Sequence, residues 1–475
     1  MTASSTKALH DLWRLAQLPE AALSHATLSG EEPALPSSFA VGIAAQSSIA
    51  AAALAAAEIG AARGGAKQDV SVDIRDAALE CTGFFSIDGR VPEAWDKISG
   101  LYPCGADAGE PGFVRIHANF AHHRDGALKL LGVPGGDKTE KADVERALRK
   151  WRAQEFEQAA ADNKLVVSAL RSFAEWDAHP ASAALKPQPV LSIEKIGDAA
   201  PVQLSPLSPR EQPLSGIRVL DLTRILAGPT CGRTLAAYGA DVMLINSPNL
   251  PNIEAVIDTS RGKLSAHVDL DTEAGRATLR DLARDANILV QGYRPEGIAA
   301  RGFGPEDLAK LRPGIIYVSL SAYGHLGPWG NKRGFDSLVQ TATGFNHAEG
   351  EAFGGGPRAL PMQILDFASG FLMAFGAEAA LLRQAREGGS WHVRVSLART
   401  GLWLRALGRV VGGTDAPKPD LATLKRYLQA YDSGYGKLVA MPHAAKFSAT
   451  PAHWARPSMP PGSHPPVWPR RAVAA

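Results

Sequence analysis

Cysteine is scarce in this chain: Cys81, Cys104 and Cys231 are the only three among 475 residues. Far apart and odd in number, they form neither a disulfide framework nor a paired zinc-ligand motif, which fits a reducing, cytoplasmic setting. Net charge is nearly absent as well, with 50 Lys and Arg against 48 Asp and Glu. That balance offers no basic surplus for nucleic acid and no acidic tail. The N-terminal "MTASSTKALHDLWRLAQLPE" carries both charge signs and lacks the basic start and apolar core of a secretory signal. The most membrane-like run, residues 41–62, is mostly alanine and is broken by Gln46, Ser47, Ser48 and Glu58. It reads as the buried helix of a soluble protein and not as a membrane span. There is no Walker A sequence and no H-E-x-x-H, so nucleotide hydrolysis and zincin chemistry have no support. His117, His122 and His123 cluster in "HANFAHH" without a carboxylate or cysteine at ligand spacing, so no metal is expected.

The length suits two or three domains with real cores. A Pro/Ser-rich stretch, "PVQLSPLSPREQPLSG" at 201–216, divides the chain. Before it come a long helix, a short alternating strand "QDVSVDI", a strand leading into a helix at 112–131, and a charged helical segment at 140–163. After it, "GIRVLDLT", "ADVMLIN", "NILVQGY" and "GIIYVSLSAYG" alternate with helical segments. That alternation predicts an α/β fold with a parallel sheet covered on both faces. The turn "LAGPTCG" lacks G-x-G-x-x-G, and Asn246 stands where a ribose-binding acid would, which argues against an NAD enzyme. One internal repeat is visible: "AEIGAARGGAKQDVSVDIRDA" at 57–77 parallels "AALLRQAREGGSWHVRVSLAR" at 379–399. The segment before the first copy, 41–48, has no carboxylate.

The stretch "PMQILDFASGFLMAFGAEAAL" at 361–381 places one carboxylate, Asp366, in strongly apolar surroundings. Burying an ionised carboxylate is costly unless something offsets the lost hydration. Asp favours the N-cap, and the helix-like run 367–387 is closed by Gly388 and Gly389, so the plainest role for Asp366 is a helix cap.

Four ordered segments widen that reading: "PLSGIRVLDLTRILAGPTCGRTLAAYGADVMLI", "SRGKLSAHVDLDTEAGR", "SAYGHLGPWGNKRGFDSLVQTATG" and "ILDFASGFLMAFGAEAALLRQAREGG". Over about 213–400 the chain resembles the class III CoA-transferases, a group that includes formyl-CoA transferase, carnitine CoA-transferase and alpha-methylacyl-CoA racemase. The resemblance implies a Rossmann-like large domain with a smaller α+β domain. It makes Asp366 the nucleophile, since it follows the "GFD" block at the start of an Ala/Gly-rich helix. It also implies coenzyme A and acyl-CoA as substrates, a small carboxylic acid as co-substrate, no metal, no nucleic-acid or membrane partner, and a homodimer. Expected CoA contacts are Leu226 and Ala227; Val268, Asp269, Leu270 and Asp271; Gly292, Tyr293 and Arg294; and Arg333, Gly334, Phe335 and Asp336. Lys263, Arg294 and Arg333 are the expected phosphate partners.

The resemblance further suggests a rearranged, partly duplicated member. Residues 1–205 would be an incomplete unit holding small-domain-like pieces, 206–216 a linker, and 217–475 the active-site domain with a closing segment. A carboxylate nucleophile divides CoA transfer into acyl exchanges through mixed anhydrides and an aspartyl-CoA thioester. A helix N-terminus suits it, because its dipole favours the anion and its free N–H groups can steady a developing oxyanion. Two alternatives stand beside this reading. A 2-methylacyl-CoA racemase would need two acid–base groups, yet Phe335 occupies the position where that branch has His. A catalytically degenerate CoA-binding subunit is the other.

Overall fold

The computed structural model describes residues 3–469. Its centre is a seven-stranded sheet built from β1 (Leu191–Gly197), β2 (Arg218–Leu222), β3 (Asp241–Asn246), β4 (Lys263–His267), β5 (Ile288–Gln291), β6 (Ile316–Ser321) and β7 (Ser390–Ser396). The spatial order is β4-β3-β2-β5-β6-β7-β1. Six strands run parallel, and β1 pairs antiparallel with β7 at the edge. Near-continuous burial of β2, β3 and β5 explains their runs of Val, Leu and Ile, as expected for strands covered on both faces. The order reverses between β2 and β5, and open α/β sheets bind ligands in the crevice at such a switch point.

Four helices set the site: α1 (Val41–Ala62), α2 (Ala227–Ala237), α3 (Asp336–Ala342) and α4 (Ile364–Glu387). The two long ones, α1 and α4, are apolar enough to cross a membrane by length and composition, but here they bury their surfaces on each other in the core. Helix α4 also lies on α2. Their contact is close: a Cβ on Gly370 would stand 2.6 Å from the Ala227 carbonyl, so only glycine allows this approach.

The unit before residue 205 is joined to the rest by strands as well as by packing. Strand β1 lies before the expected boundary yet forms the edge of the central sheet. Val70–Asp73 pairs with Ala26–Ser29 and with Lys446–Phe447. Phe85–Ile87 pairs with Leu438–Ala440 of the C-terminal segment. Residues 201–216 form no helix or strand and are pinned by Arg63, whose guanidinium donates to the carbonyls of Ser205, Pro213 and Ser215, each at 2.8 Å. A separate antiparallel sheet (Gly100–Cys104, Gly112–Ile116, Val167–Ala169) has its own small core with Phe156, Leu128 and Leu148. The charged helical segment at 140–163 is two helices, Lys141–Leu148 and Ala153–Asp162, broken around Lys150 and Trp151.

Candidate active site

Asp366 lies in the first turn of α4 and is 8% exposed. The helix begins at Ile364, so Asp366 is not the N-cap; that residue is Gln363, which makes no side-chain capping bond. The cap comes from elsewhere in the chain. Asp336, at the start of α3, accepts the Asp366 backbone N–H on Oδ2 at 2.8 Å and the Gln340 amide on Oδ1 at 2.5 Å. Two carboxylates thus share the entrance of α4. Burial pushes the Asp366 carboxyl well above the usual carboxylate range, and the neighbouring Asp336 charge adds to the rise. Burial likewise pushes Asp336 up to about 7, although the Asp366 and Leu365 backbone N–H groups, Gln340 and the Arg115 charge all pull it down. Among the described residues no donor reaches the Asp366 carboxylate, so its oxygens are left for a ligand.

Two cavities meet at Asp366, and Leu226, Ile225 and Phe335 border both. The first, about 410 Å³, opens where the strand order reverses. The loop after β2 gives it Thr223, Arg224 and Leu226, and the loop after β5 gives Gly292, Tyr293 and Arg294. Lys332, Arg333 and Gly334 close a further side. Ile225 holds φ at +79°, a strained setting for a β-branched residue that lets this turn separate the two cavities. Three guanidiniums, Arg224, Arg294 and Arg333, surround the first cavity, and none has a carboxylate partner among the described residues. Burial lowers the Arg333 pKa, and the nearby Arg294 charge adds to that. Lys332 lines the cavity too, but its ammonium is bound to Glu157 at 2.9 Å and sits over Trp329.

The unit before residue 205 completes this wall from within the same chain: Phe120, His122, His123 and Val166 face the cavity. His117 stacks on Phe335 with ring centroids 4.0 Å apart. Burial pulls His117 down to about 3 and His123 to about 4, so both rings are neutral packing groups at neutral pH. Sequence reasoning left these histidines without a role and missed Arg224. The Arg at the end of the first apolar strand was a readable signal for the latter, because strand C-termini face the crevice.

The other expected CoA contacts divide clearly. Leu226, Ala227, Gly292, Tyr293, Arg294, Arg333, Gly334 and Phe335 line the first cavity, and Asp336 lines the second. Lys263 does not serve as a phosphate partner. It is fully buried, with Nζ bound to Asp221 Oδ2 and the Pro229 carbonyl, both at 2.7 Å. Val268, Asp269, Leu270 and Asp271 line neither cavity; Asp269 accepts from Asn249, and Asp271 pairs with Arg301 at 2.6 Å.

The nucleophile-like carboxylate, the helix entrance and the cationic crevice fall in the segment that carries the family signature. Residues 214–420 match the model of CoA-transferase family III. A probable fatty acyl-CoA transferase of Mycobacterium tuberculosis is 34% identical over 239 residues, 46% of this chain and 59% of that protein. An acyl-CoA transferase of Gibberella moniliformis is 32% identical over 265 residues, 54% of this chain and 47% of the relative. A succinate–glutarate CoA-transferase of Agrobacterium fabrum is 34% identical over 207 residues, 40% and 52% respectively. The chain thus spans about half the length of the curated relatives it matches.

Proposed function

We propose that the chain is a family III CoA-transferase that moves CoA between an acyl-CoA thioester and a carboxylic acid, with Asp366 as nucleophile. The observation that carries this reading is the place of Asp366: a buried carboxylate with no donor on its oxygens, at the meeting point of a cationic crevice and a second cavity. Arg224, Arg294 and Arg333 suit the phosphates of CoA, since guanidiniums bind phosphate with paired N–H donors.

In this reading the Asp366 carboxylate attacks the thioester carbonyl, expelling the CoA thiolate and leaving an acyl-aspartyl anhydride. The thiolate then attacks the aspartyl carbonyl, which releases the first acid and leaves an aspartyl-CoA thioester. The acceptor carboxylate repeats the exchange in reverse, so CoA leaves on the new acid and the Asp366 carboxylate is restored. Burial keeps the anion poorly hydrated and therefore reactive, while the α4 N-terminus favours it electrostatically. Phe335 carries no proton, and both ring nitrogens of the neighbouring His123 are buried, which speaks against the racemase reading. A cytoplasmic setting is proposed on the scarce, unpaired cysteines, and a homodimer on the family likeness alone.

The test is covalent trapping. Acyl-CoA given without an acceptor is expected to leave acyl or CoA mass on the peptide bearing Asp366. An unmodified peptide, with transfer still proceeding in an Asp366→Asn variant, would overturn the assignment.

A further inference from the structure

The second cavity at Asp366 is the larger, about 920 Å³, and it runs away from the guanidinium cluster. Its walls come from both halves of the chain: Phe84, Phe85 and Trp95 on one side, Leu360, Met362 and Phe367 on the other. Val91 and Trp95, on the segment between Asp88 and Ser99, are 46% and 37% exposed at its rim. Exposed aliphatic and aromatic side chains at the mouth of an apolar cavity are the features of a hydrophobic ligand site. The charged side chains around it, other than Asp336 and Asp366, are Arg358 and Lys418 against Glu93, Asp96 and Glu254. Asp96 and Glu254 already pair with Arg124 and Arg90, so the exposed Arg358 and Lys418 face Glu93 alone. Arg358 is also engaged, with its guanidinium 3.7 Å from the centre of the Phe353 ring.

We infer that this cavity receives the acyl body of the substrate, and that the acids handled at Asp366 carry a large apolar body, of medium- to long-chain fatty acyl size. The inference rests on the proposed function and adds the substrate class. A short dicarboxylate would leave most of the apolar wall in contact with water, whereas each methylene buried there is worth roughly four-fold in affinity.

Binding of CoA, acetyl-CoA, octanoyl-CoA, dodecanoyl-CoA and glutaryl-CoA to the full-length Asp366→Asn variant, followed by calorimetry, tests it without turnover. Dodecanoyl-CoA is expected to bind at least about 100-fold tighter than acetyl-CoA, and glutaryl-CoA no tighter than acetyl-CoA. Two changes should narrow the dodecanoyl-to-acetyl ratio by about ten-fold or more: Ala359→Trp, which fills the cavity from a half-buried loop position, and Val91→Glu on the exposed rim. Val91 is exposed, Ala359 lies in a loop, and the chain-length series stands without either variant. Tight CoA binding with a flat chain-length series, or a preference for glutaryl-CoA, would overturn the acyl class and leave the transferase reading intact. No binding of CoA itself would overturn both.

Discussion

The internal repeat begins in the C-terminal ends of helices α1 and α4, and each helix leads into a short strand and a further helix: Val70–Asp73 and Ile74–Glu80 in the first, β7 and Leu397–Ala406 in the second. Both long helices begin without a local capping side chain. In each, a distant carboxylate takes the open backbone donors. Glu32 accepts the Ile43 N–H at 3.0 Å, and Asp336 accepts the Asp366 N–H at 2.8 Å. With Ala57 set against Ala379, Ile43 falls opposite Leu365, Ala44 opposite Asp366 and Ala56 opposite Glu378. The copies share a capping architecture and differ in two buried acids. Helix α1 carries alanine at both positions and is buried just as fully, so a long core helix of this kind forms without such acids.

Replacing Asp366 by Asn should have the largest effect, a loss of turnover of about 10³-fold or more, because a neutral amide cannot open the thioester. The melting temperature should stay within a few degrees of the wild type, since Asp336 still caps α4. Steady-state assay with calorimetric melting reads both. An active Asn variant would make the second copy as inert as the first.

Asp336→Asn sharpens the comparison by leaving one buried acid at the entrance. Without the Asp336 charge, Asp366 should ionise at lower pH, moving the acid limb of turnover downward. The sign for stability is also fixed. Both carboxyls have raised native pKa values, so they hold protons that the unfolded chain releases above about pH 4. Their stabilising contribution is therefore complete below that pH and is lost as pH rises toward 7 and beyond. Unfolding measured from pH 4 to 8 should show a shallower decline in the Asn variant.

Glu378→Leu makes the α4 interior resemble its counterpart. Both Glu378 oxygens are buried without a partner, and burial pushes the carboxyl well above its usual range. Removing an unsatisfied buried acid should raise stability by roughly 1–3 kcal/mol in denaturant titrations, with turnover unchanged. The smallest effect belongs to the first copy. Glu32→Ala should cost about 0.5–2 kcal/mol through the lost cap and leave the pH profile of turnover where it was.

The parallel sheet was legible because its strands are apolar, short and regularly interrupted by helices. The four strands "GIRVLDLT", "ADVMLIN", "NILVQGY" and "GIIYVSLSAYG" lie where their patterns placed them, whereas β4, between the second and third, was not read as a strand. Strand β1 was not legible: "LSIEKIG" is an antiparallel edge strand, only partly buried, and too polar for the pattern of its neighbours. The helix bearing Asp366 could be read, but its cap could not, because the capping oxygen comes from a residue 30 positions earlier. Lys263 was misplaced for a similar reason. A lysine at a strand start looks solvent-facing until Asp221, 42 positions away, is found bound to it in the interior.

Helix α1 has 19 buried residues among its 22, and its main neighbour is α4, made some 300 residues later, with Ser5–Leu15 and Ile74–Glu80 packed on it as well. At about 5–20 residues per second, synthesis of the intervening chain takes on the order of tens of seconds. Throughout that interval the face of α1 that α4 covers has left the ribosome without its partner. The order in which the two long helices are made therefore leaves an almost uncharged, apolar face open for most of synthesis.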